Sequence, residues 1–285
     1  MKIHMIAALL LTQFVSITSH ATVPDTSDHL YPVDSPFYSK RYSRVRSIHA
    51  PDRPLKFVSY NIHWSENLDG VIADLKNIDS LRNADVYLLQ EVAGTVGGDN
   101  TARVIAQALN LNYVYSPGCV LYGKDYGNAI LSRWPLKNFY KANLPHSELN
   151  VQRTALGATV QVGDREMQAL SIHLSVKFPD SVGLEHSRVD QVREAITQTN
   201  RNNLPTFFSG DFNKLNPFAW SNILGLFRDS GYVVSHGSMG WTFRDYRLPL
   251  DFAFTRGSLE TVRAGNEYSA GGSDHIPIWA EVNLK

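Results

Sequence analysis

The sequence predicts an α/β fold for the region that begins at Leu55. From there, segments that alternate like strands are followed by segments with the spacing of amphipathic helices, and this order recurs along the chain. The 285 residues can hold one large domain, and 43% apolar with 19% charged residues is an ordinary globular composition. We therefore predict a single domain over residues 54–285.

The first half of this region contains alternating strands and helices. Lys56 to Ile62 alternates as a strand, and Asp69 is expected to cap the helix that follows. The apolar face of that helix is Val71, Ile72, Leu75, Ile78 and Leu81. A second amphipathic helix is predicted at Thr101 to Leu109. Further strands are predicted at Asp85 to Val92, Tyr113 to Tyr115 and Asn128 to Ser132.

The second half, after about residue 150, has a similar number of helices and strands. Ala155 to Val162 and Met167 to His173 read as a hairpin around Gly163-Asp164. A helix is predicted from about Leu184 to Thr199, and Asn216-Pro217 is expected to open another as N-cap and first-turn proline. The remaining strands are Thr206 to Ser209, Leu250 to Phe254 and Pro277 to Val282.

The N-terminus has the pattern of a secretory signal peptide over residues 1–21. Lys2 precedes an apolar run from Met5, and Ser19-His20-Ala21 places small residues at the −3 and −1 positions. The run is shorter than the roughly 18 uninterrupted apolar residues of a membrane anchor, which is the alternative. Export with cleavage predicts a secreted or periplasmic protein, and the single Cys119 cannot form an intramolecular disulfide.

Residues 22–53 are rich in proline, arginine and aromatic residues and have no clear period. This composition is typical of a poorly structured leader or of a strap across the surface of the domain.

Lys and Arg total 27, as do Asp and Glu, so the chain has no global basic field to hold nucleic acid.

Polar residues lie at the ends of predicted strands at five places. These fragments are Ser59-Tyr60-Asn61, Leu89-Gln90-Glu91-Val92, Ser171-Ile172-His173-Leu174, Gly210-Asp211-Phe212-Asn213 and Ser273-Asp274-His275-Ile276-Pro277. Phosphoester hydrolysis needs a hard cation, a group that orients water and a donor for the developing negative charge. Residue types that meet these needs are Glu91, Asp211, Asn213, Asp274 and His275. Taken singly, each fragment is equally explained by an Asx turn, a solvated acid or a structural histidine.

In this order and spacing, the five fragments resemble the endonuclease/exonuclease/phosphatase superfamily, which includes DNase I, AP endonucleases, sphingomyelinases and inositol-polyphosphate phosphatases. The resemblance extends from Leu55 to Val282. It implies a four-layer α/β/β/α sandwich of the DNase I-like type, with two mixed sheets and the helices outside. It also implies hydrolysis of phosphoester bonds with Mg²⁺ or Mn²⁺.

The resemblance assigns metal binding to three residues. Glu91 would hold the cation, the amide of Asn61 would lie beside it, and Asp274 matches a position assigned to metal binding or to orientation. Oxygen ligands suit a hard cation and argue against zinc.

The resemblance also assigns catalytic roles. Asp211 would orient or deprotonate the attacking water, and Asn213 would bind phosphate; an extended segment would let both face the same way with Phe212 in the core. His275, paired with Asp251, would contact the scissile phosphate. A charge-paired imidazole has a raised pKa and a fixed tautomer, which favours a donor at the developing oxyanion.

Other residues complete the predicted cleft. His173 would bind phosphate or protonate the leaving oxygen, and Arg153 resembles an arginine of the DNase branch. Asn128, and less clearly Tyr126, match a segment that lines the cleft, and Asn128 and Arg153 are expected to bind the substrate phosphate. An aromatic rim, or alternatively a set of packing aromatics, is formed by His63, Trp64, Trp241 and Phe243.

The sequence indicates the type of reaction more closely than it indicates the substrate. Lys214-Leu215 and Pro249-Leu250-Asp251-Phe252 depart from the inositol-phosphatase pattern, and the segment around Asp251 departs from that of AP endonucleases. Three functions remain: a phosphodiesterase or endonuclease acting on nucleic acid, an enzyme acting on phospholipid, sphingomyelin or an inositol or sugar phosphate, and a catalytically inert binding protein. None of the three implies an obligate protein partner.

Overall fold

The computed structural model describes residues 30–45, 49–145, 151–176, 182–215, 217–237 and 240–285. The predicted signal peptide and the predicted cap at Asn216 lie outside these residues. Within them, two β-sheets pack face to face, and helices cover the outer face of each sheet. The predicted α/β/β/α sandwich is therefore confirmed.

The first sheet has seven strands in the described part of the chain. Numbered along the sequence, they are β1 (Tyr38–Lys40), β2 (Leu55–Asn61), β3 (Val86–Thr95), β4 (Asn112–Leu121), β5 (Lys124–Ser132), β12 (Leu259–Asn266) and β13 (Ile278–Leu284). Their spatial order is β1-β4-β5-β3-β2-β13-β12. Only the β2–β3 pair is parallel among these strands, because a helix carries the chain from the end of β2 back to the start of β3.

The second sheet has six described strands. They are β6 (Leu136–Asn143), β7 (Thr154–Val162), β8 (Arg165–His173), β9 (Thr206–Asp211), β10 (Tyr232–His236) and β11 (Asp251–Arg256). Their order is β10-β11-β9-β8-β7-β6, and β8 and β9 are parallel. Four of the thirteen strands were not predicted, namely β1, β6, β10 and β12, and these are the edges of the two sheets.

Four α-helices are described: α1 (Leu68–Asn77), α2 (Thr101–Leu109), α3 (Val182–Thr199) and α4 (Pro217–Asp229). The predicted cap of α1 at Asp69 is wrong, since the side chain of Asn67 accepts the hydrogen bond from Gly70 N at 3.1 Å. Helix α1 also ends at Asn77, so Ile78 and Leu81 follow the helix instead of belonging to it. The bounds predicted for α2 are confirmed.

The core has three apolar layers that follow the four structural layers. Between the sheets, the rings of Phe57 and Phe207 stack with centroids 4.1 Å apart. Polar contacts also join the two sheets; in one of them, Gln90 Nε2 donates to Ser171 Oγ at 2.9 Å. A buried hydrogen bond of this kind fixes the position of one sheet against the other, because its donor cannot bond to water if the contact is broken.

The two parallel strand pairs bring the predicted site residues to one edge of the sandwich. In the ladders, Asn61 lies opposite Gln90, and Asp211 lies opposite both His173 and Asp251. Close approach of β9 to β8 requires glycine at Gly210, whose φ is 155° and where an added Cβ would lie 1.9 Å from Ile172 O.

Residues 30–45 lie along the edge of the first sheet. Strand β1 pairs with β4, and Lys141 Nζ donates to the carbonyl oxygens of Ser35 and Pro117, each at 2.9 Å. Burial lowers the pKa of Lys141 to about 8.

Among the described residues, no helix is long and apolar enough to cross a membrane.

Candidate active site

The sequence predicts Glu91 at the end of its strand, but in the structure Glu91 lies in a β-bulge. Strand β3 continues to Thr95, and its register with β5 shifts between Leu89 and Val92. Glu91 has a φ of 57°, a left-handed conformation that is uncommon for a residue with a side chain. Bulges re-aim side chains, and here the bulge turns Glu91 towards Asn61, whose Nδ2 donates to Glu91 Oε1 at 3.1 Å.

Asn61 joins two carboxylates. Its Nδ2 also donates to Asp211 Oδ2 at 3.0 Å, while its Oδ1 accepts the backbone N–H of His63 at 3.1 Å. The His63 contact fixes which end of the amide faces the carboxylates, since the reverse orientation would set two donors against each other. Asn61 therefore presents its nitrogen to the site and its oxygen to the backbone.

Asp211 is the centre of the cluster. It ends β9 and is buried, and its Oδ1 accepts the N–H of Asn213 at 2.8 Å in an Asx turn. The expectation of an extended segment through Asn213 is wrong, because Asn213 has a φ of 46°. Its Nδ2 donates to Leu174 O at 2.9 Å, and Phe212 packs in the core as predicted. Burial raises the pKa of Asp211 to about 7, against the opposing effect of His275.

His275 is held by a carboxylate on each side. Its Nδ1 lies 2.8 Å from Asp251 Oδ2, and its Nε2 lies 3.6 Å from Asp211 Oδ2. Burial alone lowers the pKa of the imidazole, but Asp251 and Asp211 raise it more, to about 10. The predicted pairing with Asp251 is therefore present, and the ring is a cation whose Nε2–H points into the cluster.

His173, Arg153 and Tyr126 form the neighbouring part of the cleft. Arg153 Nη1 lies 2.9 Å from Tyr126 Oη and 3.0 Å from His173 Nδ1, and His173 Nε2 lies 3.5 Å from Asp211 Oδ2. Burial, and then the adjacent Arg153, lower the pKa of His173 well below its ordinary value. His173 is thus a neutral imidazole beside a buried guanidinium.

Asp274 lies at the more exposed rim, with its side chain 26% accessible. Its Oδ1 accepts from Ser273 Oγ at 3.2 Å, and its Oδ2 lies 3.8 Å from His63 Nε2. The preceding loop is fixed by Asp74 of α1, whose carboxylate accepts the N–H groups of Gly271 and Gly272 at 3.1 and 2.7 Å.

Asn128 lies between the sheets. Its Nδ2 donates to Thr154 O at 2.8 Å and lies 3.4 Å from Ser171 O, and the residue is buried. In the structure, this predicted phosphate ligand therefore joins β5 to β7 and β8.

The predicted aromatic rim divides into two groups. Trp64 packs on Tyr126 with ring centroids 4.4 Å apart, and Phe243 lies 5.2 Å from the ring of His275. Trp241 instead packs on Tyr268 at 4.9 Å. His63 belongs to the rim through the 3.8 Å contact between its Nε2 and Asp274 Oδ2.

Sequence reasoning missed residues that complete this site. Thr242 Oγ1 accepts the N–H groups of Leu250 and Asp251 at 2.9 and 3.0 Å and so fixes the start of β11. Tyr122 and Tyr246 extend the two aromatic groups. A tyrosine between Leu121 and Gly123 at a hairpin tip was a detectable signal for Tyr122, whereas Thr242 and Tyr246 carry no local motif.

The residues present fit a divalent cation. Glu91 Oε2 and Asp251 Oδ1 are buried, and neither has a hydrogen-bond partner among the described residues. A buried carboxylate oxygen without a partner is costly unless a cation neutralises it. Ligand atoms of Asp211, Asp251 and His275 also lie within 4.8 Å of one another. A protonated His275 held by Asp251 has no lone pair for a cation, so Glu91, whose Oε2 is without a partner among the described residues, is the better cation ligand.

The two-sheet sandwich with buried carboxylates and imidazoles at one edge defines a DNase I-like α/β fold. The profile of the Endonuclease/Exonuclease/phosphatase family matches residues 58–275. The match covers more than half of the 285 residues, and the chain belongs to this family. Members are generally hydrolases that act on phosphoester bonds. The family predicted from the five fragments is thus confirmed. No curated protein matches the chain.

Solved structures show the same fold. An endonuclease/exonuclease/phosphatase family protein from Leptotrichia buccalis is 18% identical, with a TM-score of 0.63 over 80% of this chain and 99% of that one. The human Nocturnin catalytic domain with bound sulfate is 17% identical, with a TM-score of 0.63 over 88% and 97%. D. rerio TDP2 complexed with single-strand DNA product is 17% identical, with a TM-score of 0.63 over 81% and 100%.

Proposed function

We propose that this protein is a divalent-metal-dependent phosphodiesterase that cleaves nucleic acid by attack of water on phosphorus. The observation that carries the proposal is the continuous row of buried groups from Glu91 through Asn61 and Asp211 to the His275–Asp251 pair. Such a row offers a cation ligand, a base and a cationic donor within one cleft.

Glu91 would hold Mg²⁺ or Mn²⁺, with Asp274 at the exposed rim as a further carboxylate ligand. The cation supplies charge neutralisation at the phosphoryl oxygens. Asn61 keeps Glu91 and Asp211 in a fixed relation, since it donates to both.

Asp211 is the group that orients the attacking water and accepts its proton as the new P–O bond forms; the P–O bond to the leaving oxygen breaks, and that oxygen takes a proton from solvent. Its Oδ1 is bound to the N–H of Asn213, so that Oδ2 is the oxygen that faces the cluster. His275 donates from Nε2 to the phosphoryl oxygen as negative charge develops, and Asp251, which accepts from Nδ1–H, keeps the ring a cation so that Nε2 retains its proton.

Arg153 is the phosphate-binding cation of this cleft. It is buried, and its Nη1 contacts both ring nitrogens of His173 at 3.0 and 3.1 Å. The lowered pKa of His173 favours a neutral ring. A neutral ring suits the role of positioning Arg153 better than the alternative role of protonating the leaving oxygen. Asn213 Nδ2 donates to the carbonyl oxygen of Leu174, the residue after His173.

The test is a parallel assay of the purified protein with Mg²⁺ or Mn²⁺ against plasmid DNA, RNA, sphingomyelin and inositol phosphates. We expect cleavage of nucleic acid that stops in EDTA. The solved structure of D. rerio TDP2 holds a single-strand DNA product, which supports nucleic acid as the first substrate to try. Turnover of sphingomyelin or inositol phosphate without nucleic acid cleavage would contradict the proposal.

We further propose that the protein is exported after cleavage behind Ala21. The charged start, the short apolar run and the small residues of Ser19-His20-Ala21 support this. Mass spectrometry of the exported protein should find Thr22 at the N-terminus. An N-terminus that retains residues 1–21 would show an uncleaved segment instead.

A further inference from the structure

Two aromatic pairs bracket the polar row of the cleft. On one side, Trp64 pairs with Tyr126 at 4.4 Å, measured between ring centroids, and Tyr122 lies beside this pair, 5.7 Å from Trp64. On the other side, Phe243 lies 5.8 Å from Tyr246, nearly parallel to it at 24°. The proposed catalytic chemistry uses neither pair.

The pairs are continuous with the reacting groups. Tyr126 Oη lies 3.4 Å from His173 Nδ1, and Phe243 lies 5.2 Å from the ring of His275. Between the two histidines lies Asp211, whose Oδ2 is 3.5 Å from one and 3.6 Å from the other. A phosphate bound at this row would therefore have an aromatic surface at each end.

The backbone that presents Trp64 is strained. His63, Trp64 and Ser65 have φ values of 43°, 56° and 59°, three consecutive left-handed residues without a glycine. Hydrogen bonds hold this turn: His63 N donates to Asn61 Oδ1 at 3.1 Å, and Ser65 Oγ lies 2.7 Å from Thr101 Oγ1. Strain that the surroundings maintain is found mainly at functional sites, and its result here is a half-buried indole over the cleft.

Tyr122 repeats the pattern at the tip of the β4–β5 hairpin. It has a φ of 51° before Gly123 at 74°, so both turn residues are left-handed. Such turns favour asparagine or glycine at the first position. Tyr122 is instead a large side chain that is 74% exposed. Neither fold nor burial explains a tyrosine at this position.

We propose that the two aromatic pairs are stacking subsites for the bases on either side of the scissile phosphate in single-stranded nucleic acid. This inference rests on the proposed phosphodiesterase function and specifies its substrate. Aromatic rings at both ends of the row suit a phosphodiester that carries a planar nucleobase on each side. Bases of a duplex are stacked on each other and are not available to the pairs, whereas bases of a single strand are.

The charge balance agrees with this assignment. The number of Lys and Arg residues equals the number of Asp and Glu residues, 27 each, so the chain has no excess positive charge to bind a duplex through its phosphates. Stacking of a base on an aromatic side chain contributes about 5- to 150-fold in affinity. Two such subsites supply the binding that net charge does not.

The experiment compares three octamers of equal charge per strand: single-stranded DNA, the same strand in a duplex, and a strand whose central residues are abasic. With Mg²⁺ or Mn²⁺, we expect wild-type kcat/KM on the single strand to exceed that on the other two by at least about 10-fold. Trp64→Ala and Phe243→Ala should each raise KM on the single strand by about 5-fold or more and leave the abasic strand unaffected. Trp64→Phe should retain most of the preference.

Two further variants separate recognition from folding. Tyr122→Gly should raise the melting temperature, because glycine relieves the left-handed strain, and still reduce the preference for bases. Val262→Ala, at a side chain 53% exposed on the edge strand β12, should change nothing.

Equal cleavage of the abasic and normal strands by the wild-type protein would overturn the stacking subsites and leave the phosphodiesterase intact. Equal losses on both strands in Trp64→Ala would do the same. Loss of sphingomyelin-vesicle hydrolysis in Trp64→Ala, with single-strand cleavage unchanged, would assign the aromatic pairs to a membrane. Failure to cleave any phosphodiester would overturn the proposed function itself.

Discussion

Asp74 should control both stability and activity from outside the cleft. Its carboxylate accepts three hydrogen bonds, from Tyr60 Oη at 2.9 Å, Gly271 N at 3.1 Å and Gly272 N at 2.7 Å. The two glycines begin the loop that carries Asp274 and His275. In Asp74→Ala, these donors lose a charged acceptor, and two of the three bonds are buried.

The magnitude follows from these contacts. A hydrogen bond to a charged group contributes about 1.5–3 kcal/mol, so three of them give an upper range of about 4.5–9 kcal/mol. Water entering the vacated space satisfies some donors, and the Gly271 bond is only partly buried. We therefore expect Asp74→Ala to lose about 3–5 kcal/mol of unfolding free energy.

Urea unfolding and steady-state kinetics together test this expectation. Tyr60→Phe is the matched control, since it removes one of the three bonds and leaves the glycine contacts; it should lose about 1.5–3 kcal/mol and keep its kcat. Asp74→Ala should lose at least about 10-fold in kcat, since the loop before His275 is released. A loss below about 1 kcal/mol, or an unchanged kcat, would refute the role assigned to Asp74.

Other predictions follow from the site and the sheets. Asp211→Asn and His275→Ala should each lower kcat by at least about 100-fold in a phosphodiesterase assay while circular dichroism shows an unchanged fold; full turnover in either contradicts the assigned role. Gly210→Ala should fail to give folded protein, because its Cβ would meet Ile172 O; a soluble variant with native melting behaviour would disprove this. Burial, although Asn266 and Asp251 oppose it, lowers the pKa of His236 below its ordinary 6.5. The unfolded chain then binds a proton that the folded chain does not, so stability should fall as pH drops through about 6.5. Urea midpoints from pH 5 to 8 should show a smaller fall in His236→Asn, and an identical fall would contradict it.

The sequence predicts the interior strands and misses the edges. Interior strands are covered on both sides, so their apolar residues form a clear pattern, as in Phe207 and Phe208 of β9. The edge strand β12 has few buried side chains and includes Glu260 and Arg263, and a pattern of that kind does not differ from a polar loop. The order of strands in space depends on long-range pairing, which local periodicity does not encode.

The candidate site is predicted by residue type but not by local geometry. The strand-end fragments contain Asn61 and Asp211, which each end a strand of a parallel pair, and His275, which precedes β13. Since β13 runs antiparallel to β2, all three lie at the same edge. Glu91 in a bulge and Asn213 in a left-handed turn depend on single backbone angles, of 57° and 46°, that no pattern indicates. The same is true of the strained turn at Trp64.

Metal dependence is the central claim, and titration of Mg²⁺ or Mn²⁺ into the metal-stripped protein tests it most directly. Wild-type phosphodiesterase activity should vanish in EDTA and return with added cation. Glu91→Gln should need at least about 10-fold more cation and reach a lower maximum with its fold intact, since the variant loses the charge of Glu91 Oε2. Glu166→Gln, at the opposite end of β8 from His173, is the matched control and should titrate like the wild type. Full wild-type activity in EDTA, or an unchanged titration in Glu91→Gln, would contradict the account.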